Sequence, residues 1–324
     1  QTKQIKNLRS DPNDPTTLDD DCIFSIYKSK SQNIYVGTPV GLNKFNSKNN
    51  SFIRIEEARG FIYDIKEDNN NNLWLATYGD GVKKYNYKTR KWTHYDRILD
   101  KNHPIVGSKL TSIYIDSHNQ IIFTSEGKGL FIYDYKTNSF SNISEADGLP
   151  NNVIYGALED DYGKLWFSCN KGLVYTNNNE LKNYQLLTKE DVLQSNQFNF
   201  KSSFKASDGK LYFGGVNGFS SFYPQNILNF INSKVPPIEI TNIQILDTEE
   251  SRSLNNKMTL AIKNNQFLEL PYHLSSFTLS FISLSFISQT KNQYAYKLEG
   301  VDKRWNYVGN TNSVTYVNLP PGEY

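Results

Sequence analysis

Along the first two thirds of the 324-residue chain, short apolar runs recur in a fixed order with polar turns and glycines. Five runs read IYVGT from Ile34, LWLAT from Leu73, IIFTS from Ile121, LWFSC from Leu165 and LYFGG from Leu211. A few residues after each stands a glycine followed by an apolar residue: Gly41-Leu42, Gly81-Val82, Gly129-Leu130, Gly172-Leu173 and Gly218-Phe219. The starts lie 39, 48, 44 and 46 residues apart. A period in this range is that of a β-propeller blade, a four-stranded unit that buries its faces only by stacking on its neighbours.

Each unit divides into four predicted strands, A to D. Strand A is the apolar run before the hairpin: Ile23 to Tyr27, Phe61 to Ile65, Leu110 to Ile115, Val153 to Leu158 and, more loosely, Phe198 to Phe204. The A to B connections are rich in Asp, Asn and Gly, as in Asp160-Asp161-Tyr162-Gly163 and Ser207-Asp208-Gly209-Lys210. These residues suit tight turns because they tolerate positive φ or bond to their own backbone. A calcium loop would need acidic oxygens at alternating positions, and recurrence with every hairpin favours turn chemistry. Strand C alternates after the glycine, and strand D is the polar edge, starting at Ser51, Lys91, Ser139 and Glu180. Trp74 and Trp166 fall in strand B, where packing between blades is the first expectation and a sugar platform the second.

The fifth unit runs from Phe219 to Tyr223 into Pro224 with no clear strand D. Lys3 to Leu8 resembles an orphan strand D; it would supply that missing edge or belong to a preceding blade. The glycine repeat stops after Ile227, and Val235-Pro236-Pro237 marks a linker, since paired prolines cannot continue a ladder. Ile238 to Leu246, Lys257 to Ile262, Gln266 to Leu270, Ser276 to Ser285, Gln293 to Glu299 and Val314 to Val317 then read as strands of a sandwich. The expected organisation is all-β: blades over 1–230, a linker over 231–237 and a C-terminally incomplete sandwich over 238–324.

Composition narrows the classes. The most apolar window, Phe277 to Ile287, alternates with serine and reads as a strand rather than a membrane helix. Net charge is +2 and the lysines are scattered, which argues against nucleic-acid binding. Cys22 and Cys169 occupy different positions in their repeats, so a disulfide is not expected. The four histidines fall in unrelated contexts, giving no metal or nucleophile set, and no cofactor is expected. With no initiator methionine and an abrupt end at Tyr324, the chain reads as a segment of something longer.

The tail carries a specific pattern. Tyr294, Tyr296, Gly300, Trp305, Leu319, Pro320, Gly322 and Tyr324, in YAYKLEGVDKRW and YVNLPPGEY, resemble the Y_Y_Y domain, an immunoglobulin-like sandwich. The preceding units resemble sensor-propeller repeats, although Ile121-Ile122 lacks the usual tryptophan; SNQFN from Ser195 resembles the terminal blade. Together they resemble the periplasmic sensor region of hybrid two-component histidine kinases. The resemblance implies an oligosaccharide ligand, a homodimer through the sandwich, a membrane helix beyond the C-terminus and an inner-membrane location. It places no catalysis in this segment.

Propeller geometry nominates a ligand face, because B to C and D to A loops emerge together around the channel mouth. The B to C loops offer Tyr78, Asp80, Glu126, Lys128, Asn170, Lys171 and Asn217. The D to A loops offer Arg59, His103, Asn151, Asn152, Asn196 and Gln197. Amide, charged and aromatic groups suit hydroxyl-rich sugars, and Lys128, Lys171 and Arg59 suit acidic ones. The rival classes are a protein-interaction scaffold and a carbohydrate-active enzyme using Asp80 and Glu126 as paired carboxylates.

Overall fold

The computed structural model describes residues 6–98, 101, 103–176, 181–191, 193–232, 237–245, 275–283 and 292–324. The chain divides into two compact units, Gln1–Ile227 and Leu228–Tyr324.

The first unit is a series of antiparallel meanders, numbered here as blades 1 to 5. Blade 1 holds β1 (Ser25–Lys28), β2 (Ile34–Gly37), β3 (Gly41–Asn46) and β4 (Ser51–Arg59). Blade 2 holds β5 (Ile62–Glu67), β6 (Asn72–Thr77), β7 (Val82–Asn86) and β8 (Lys91–His94), followed by the one-turn helix α1 (Tyr95–Ile98). Blade 3 comprises β9 (Leu110–Ile115), β10 (Ile121–Ser125), β11 (Leu130–Asp134) and β12 (Ser139–Ile143). Blade 4 comprises β13 (Ile154–Glu159), β14 (Leu165–Cys169), β15 (Gly172–Thr176) and β16 (Tyr184–Leu187). Blade 5 has three strands, β17 (Phe198–Lys205), β18 (Leu211–Gly215) and β19 (Gly218–Phe222). The innermost strands β1, β5, β9, β13 and β17 pack on one another in chain order.

The two-residue period of strand B builds this stack. Leu73 and Leu75 of β6, with Ile62 and Ile65 of β5, face blade 1, where they join Tyr35 and Leu42. Trp74 and Ala76, on the opposite face, join Ile121, Phe123, Phe131 and Tyr133 of blade 3. The same alternation puts Ile122 of blade 3 against Ile154, Leu165 and Phe167 of blade 4. Both faces of a central blade are therefore buried, at roughly 1.5–3 kcal/mol for each large apolar side chain. Trp74 and Trp166 are fully buried packing residues. Trp74 stacks on Tyr95, Trp166 on Tyr175, and neither offers a sugar platform.

The recurrent glycine has a physical cause. Gly129 has φ 74°, and a Cβ there would run into the Ile143 carbonyl of the next strand; Gly172 meets the Leu187 carbonyl in the same way. The acidic A to B turns are also explained. Asp160 accepts from the amides of Tyr162 and Lys164 with one oxygen and from the Trp166 indole with the other, at 2.9 Å each. Asp68 repeats this with Asn70, Asn72 and Trp74 and also accepts from Tyr135. These carboxylates are committed to turn and indole bonds, which is the turn chemistry the pattern called for.

Several boundaries differ from the sequence expectation. Strand D of blade 4 is Tyr184–Leu187 instead of starting at Glu180. Pro224 opens helix α2 (Pro224–Asn232), because proline at the first helical position loses no hydrogen bond; the segment expected only to end a strand is thus helical and enters the expected linker. The described part of the orphan strand, from Lys6, is not a strand: Leu8 packs with Leu18, Val36 and Phe52 on blade 1. It therefore does not edge blade 5. Arg54 fixes this N-terminal segment by donating to the carbonyls of Asp11, Asp14, Thr17 and Leu18.

The second unit has a three-stranded sheet of β20 (Ile238–Ile245), β21 (Phe277–Ser283) and β24 (Ser313–Tyr316), and a pair of β22 (Tyr294–Tyr296) and β23 (Asn306–Gly309). Phe281, Tyr294 and Val314 form its core with Leu279, Tyr296, Val308 and Tyr316. The Tyr316 hydroxyl donates to Asp302 (2.7 Å), which also accepts from the Leu298 amide (2.8 Å). The strands expected at Lys257 to Ile262 and Gln266 to Leu270 lie outside the described residues, as do Val235 and Pro236 of the linker.

Candidate functional site

The B to C loop of one blade is stitched to the entry of strand A in the next. Gly79 N–H donates to Ser108 O (3.1 Å), and Gly127 N–H to Asn152 O (3.1 Å). Tyr78 and Glu126 form isolated bridges to Lys109 and Val153 of the following blades. A hydroxyl at the end of strand B shapes the loop in blades 2 and 3. Thr77 Oγ1 donates to Gly81 O (2.7 Å) and accepts from Asp80 N–H (3.0 Å); Ser125 does the same for Gly129 and Lys128. Cys169 holds this position in blade 4, with Lys171 N–H 3.4 Å from its Sγ. The two loop sets do share one face.

At the centre of that face lies a cluster of rings. Phe24 and Phe61 meet edge to face with centroids 4.5 Å apart, and Tyr63 and Tyr78 stack at 5.5 Å. Phe61 joins these pairs, 5.7 Å from Tyr63 and 5.4 Å from Tyr78. Phe200 crosses from blade 5, 6.1 Å from Tyr63 and 4.7 Å from Tyr155. Phe24, Phe61 and Tyr78 remain partly open, whereas Tyr63 and Tyr155 are buried.

Polar groups rim the rings. The Tyr78 hydroxyl donates to the Glu126 carboxylate, and Tyr155 donates to Asn170 Oδ1. That bond to Glu126, aided by burial, pushes the Tyr78 phenol from 10.0 up to about 12. Lys109 Nζ sits 5.2 Å from the Tyr78 ring centroid, a cation–π contact between the two residues of the loop bridge. Below the rings, β17 bulges between Phe198 and Ser203. Lys201, at φ 55° within the bulge, donates to the carbonyls of Phe24 (2.7 Å) and Tyr63. Burial holds its ammonium below the ordinary lysine value, with Asp64 acting in the other direction.

The nominated residues separate by what they touch. Tyr78, Glu126 and Asn170 meet the ring cluster through the bonds just described. Arg59 is paired with Glu56 at 2.8 Å, and Lys128 donates to Pro104 O at 2.9 Å. Asp80 lies 4.0 Å from Lys83. His103 bonds Phe140 O and the Ile105 amide. Asn151 and Asn152 bond the backbone or carboxylate of Glu145, and Asn196 accepts from Lys189 N–H. Asn217 N–H donates to Gln194, and Gln197 O accepts from Val216 N–H. Lys171 is exposed. Phe24, Phe61, Tyr63, Tyr155, Phe200 and Lys201 lie in or beside strand A, outside the loops that supply the candidates above. A usable signal existed: aligning the units puts Phe24, Tyr63 and Tyr155 at one position of strand A.

Comparison with known proteins adds a second line. Residues 57–79 and 148–171 match the two component regulator propeller, and residues 285–324 match the Y_Y_Y domain. The two matched repeats are those with Trp74 and Trp166. Histidine kinase P4 of Formosa agariphila is 27% identical over 314 residues, covering 81% of this chain and 22% of the relative. The extracellular domain of the hybrid two component system BT3049 from B. thetaiotaomicron has the same fold, with a TM-score of 0.73 at 23% identity; the match covers 99% of this chain and 42% of that one. The chain spans less than half the length of these relatives. It combines propeller-like regulator repeats with a Y_Y_Y domain and is homologous to two-component sensor regions.

Proposed function

We propose that this chain is the extracytoplasmic ligand-sensing region of a transmembrane signalling protein, that it recognises glycan-derived oligosaccharides, and that it passes the signal to a cytoplasmic kinase. The observation that carries this reading is the joint match of regulator repeats and Y_Y_Y domain along a chain aligned with a histidine kinase. The blades receive the ligand at the ring-lined mouth, and an immunoglobulin-like sandwich, the Y_Y_Y unit, transmits by changing position. A helix beyond the C-terminus crosses the membrane. The sandwich pairs with a second copy, for which exposed Trp305 and Tyr307 (57% and 85%) supply apolar surface.

The five blades are part of a larger propeller. Phe204 and Phe219 on one face of blade 5 are 63% and 64% exposed, and Ile26 on the outer face of blade 1 is 67% exposed. Central blades bury the equivalent faces. Calorimetry of the sensor region against a broad oligosaccharide panel tests the function: saturable binding is expected, and silence across the panel overturns the glycan reading. New chromatographic products from that panel would instead place the chain among carbohydrate-active enzymes.

A further inference from the structure

The ring cluster at the mouth narrows the class of ligand. We propose that Phe24, Phe61 and Tyr78 form a stacking platform for an uncharged sugar ring, flanked by Glu126 and Lys109; this rests on the glycan-sensor reading above.

Three observations carry it. The rings are anchored from beneath by buried Tyr63 and by Phe200, so their open faces are held in place without a ligand. A pyranose presents a C–H face that covers such rings and equatorial hydroxyls that must then find partners around them. The rim supplies these: the Glu126 carboxylate accepts one bond, from Tyr78, and has acceptor capacity left, while Asn170 accepts from Tyr155 and keeps its amide donors.

Charge decides between sugar classes. Among the described residues, no Lys or Arg nitrogen lies within salt-bridge distance of the Glu126 carboxylate. Lys109 holds its ammonium over Tyr78. With one charge of each sign flanking the platform, a uronate or sulfate gains at Lys109 what it loses at Glu126 and an amino sugar the reverse, so neither is repaid for its desolvation. Of the three basic residues that suited acidic sugars, Arg59 is engaged with Glu56 and Lys128 with Pro104 O, which leaves Lys171 exposed beside Asn170. An uncharged ring meets neither penalty.

The test is calorimetry of the full sensor region with uncharged hexaoses (malto-, cello-, laminari-, xylo- and mannohexaose), trigalacturonate, a heparin hexasaccharide and a chitosan hexamer. Binding is expected only among the uncharged set, and Phe61→Ala should weaken it about 10-fold or more, the equivalent of losing one good contact. Phe61→Leu, which keeps apolar volume without a ring face, guards against a folding defect and should weaken it similarly. Glu126→Gln should lower affinity for the uncharged ligand and relax exclusion of trigalacturonate. Binding confined to charged oligomers would overturn the uncharged class while leaving the sensor reading intact. Uncharged binding indifferent to both Phe61 variants and to Glu126→Gln would overturn the platform alone. If no oligosaccharide binds, both readings fall together.

Discussion

Asp160 shows how a single carboxylate holds a turn and the adjoining blade interface. Its loss strands two turn amides and a buried indole N–H, at about 1–3 kcal/mol for each donor left unpaired. Asp116 holds only the amides of His118 and Gln120, because Ile122 stands where an indole would be. Asp160→Ala is thus expected to lower stability by about 3 kcal/mol and Asp116→Ala by about 2 kcal/mol. Urea midpoints compare the two, and equal losses would show the indole bond to be dispensable. The Tyr78 phenol supplies a pH prediction. Its folded value of about 12 lies above 10.0, so the folded chain holds that proton longer. The linked stabilisation is complete below pH 10 and is lost as pH rises toward about 12. Absorbance titration at alkaline pH should show one late-ionising phenol disappear in Tyr78→Phe. At this scale the sequence was a good guide wherever a residue recurred with the period: the turn aspartates and Trp74 and Trp166 were readable. Cys169 ends its run where Thr77 and Ser125 end theirs, so its position was readable, but that its thiol takes over the bond to the loop amide is visible only in the folded loop.

Strands reveal where periodic reading stops working. The middle strands were legible because alternation fixes which residue faces which neighbour, and β9, expected over Leu110 to Ile115, has those bounds. Strand β17 was the loosest reading, and the bulge explains why: residues between Phe198 and Ser203 leave the ladder, so period two fails there. The departure brings Phe200 onto the axis and lets Lys201 reach blades 1 and 2. Helix α2 was missed for a related reason, as proline opens a helix as readily as it ends a strand. Lys201 ties the last blade to the first two, so Lys201→Ala should leave two carbonyls without this donor and lower stability by about 1–3 kcal/mol. Hydrogen exchange should quicken in β1 and β5 with little change in blade 3. Uniform quickening would show the bulge to be a local irregularity instead of a tie.

Blade stacking governs the first unit as a whole, because each interior face is buried only by its neighbour. Trp74 and Trp166 face the following blade, and Tyr212 holds that position in blade 5. Tyr212 lies among Phe204 and Phe219 on a face open to solvent, with centroids 6.3 Å and 6.1 Å away. Three aromatic side chains in a blade-to-blade position make a surface whose burial would stabilise a further blade. Among the described residues, strand β19 also has no partner on its outer side in the sheet, where blades 1 to 4 have a fourth strand. Site-specific labelling tests whether another blade covers this face. In a Cys22→Ser background, which removes the exposed native thiol, Phe219→Cys should react rapidly with a maleimide in the 324-residue chain. In a longer form of the protein carrying additional repeats, the same thiol should react at least about 10-fold more slowly, because each 1.4 kcal/mol by which a blade disfavours the open state cuts exposure tenfold. Equal rates would mean that the face stays open and that five blades are the natural number; slow reaction in both would mean that the exposed position seen here is covered by self-association, which dilution would reverse.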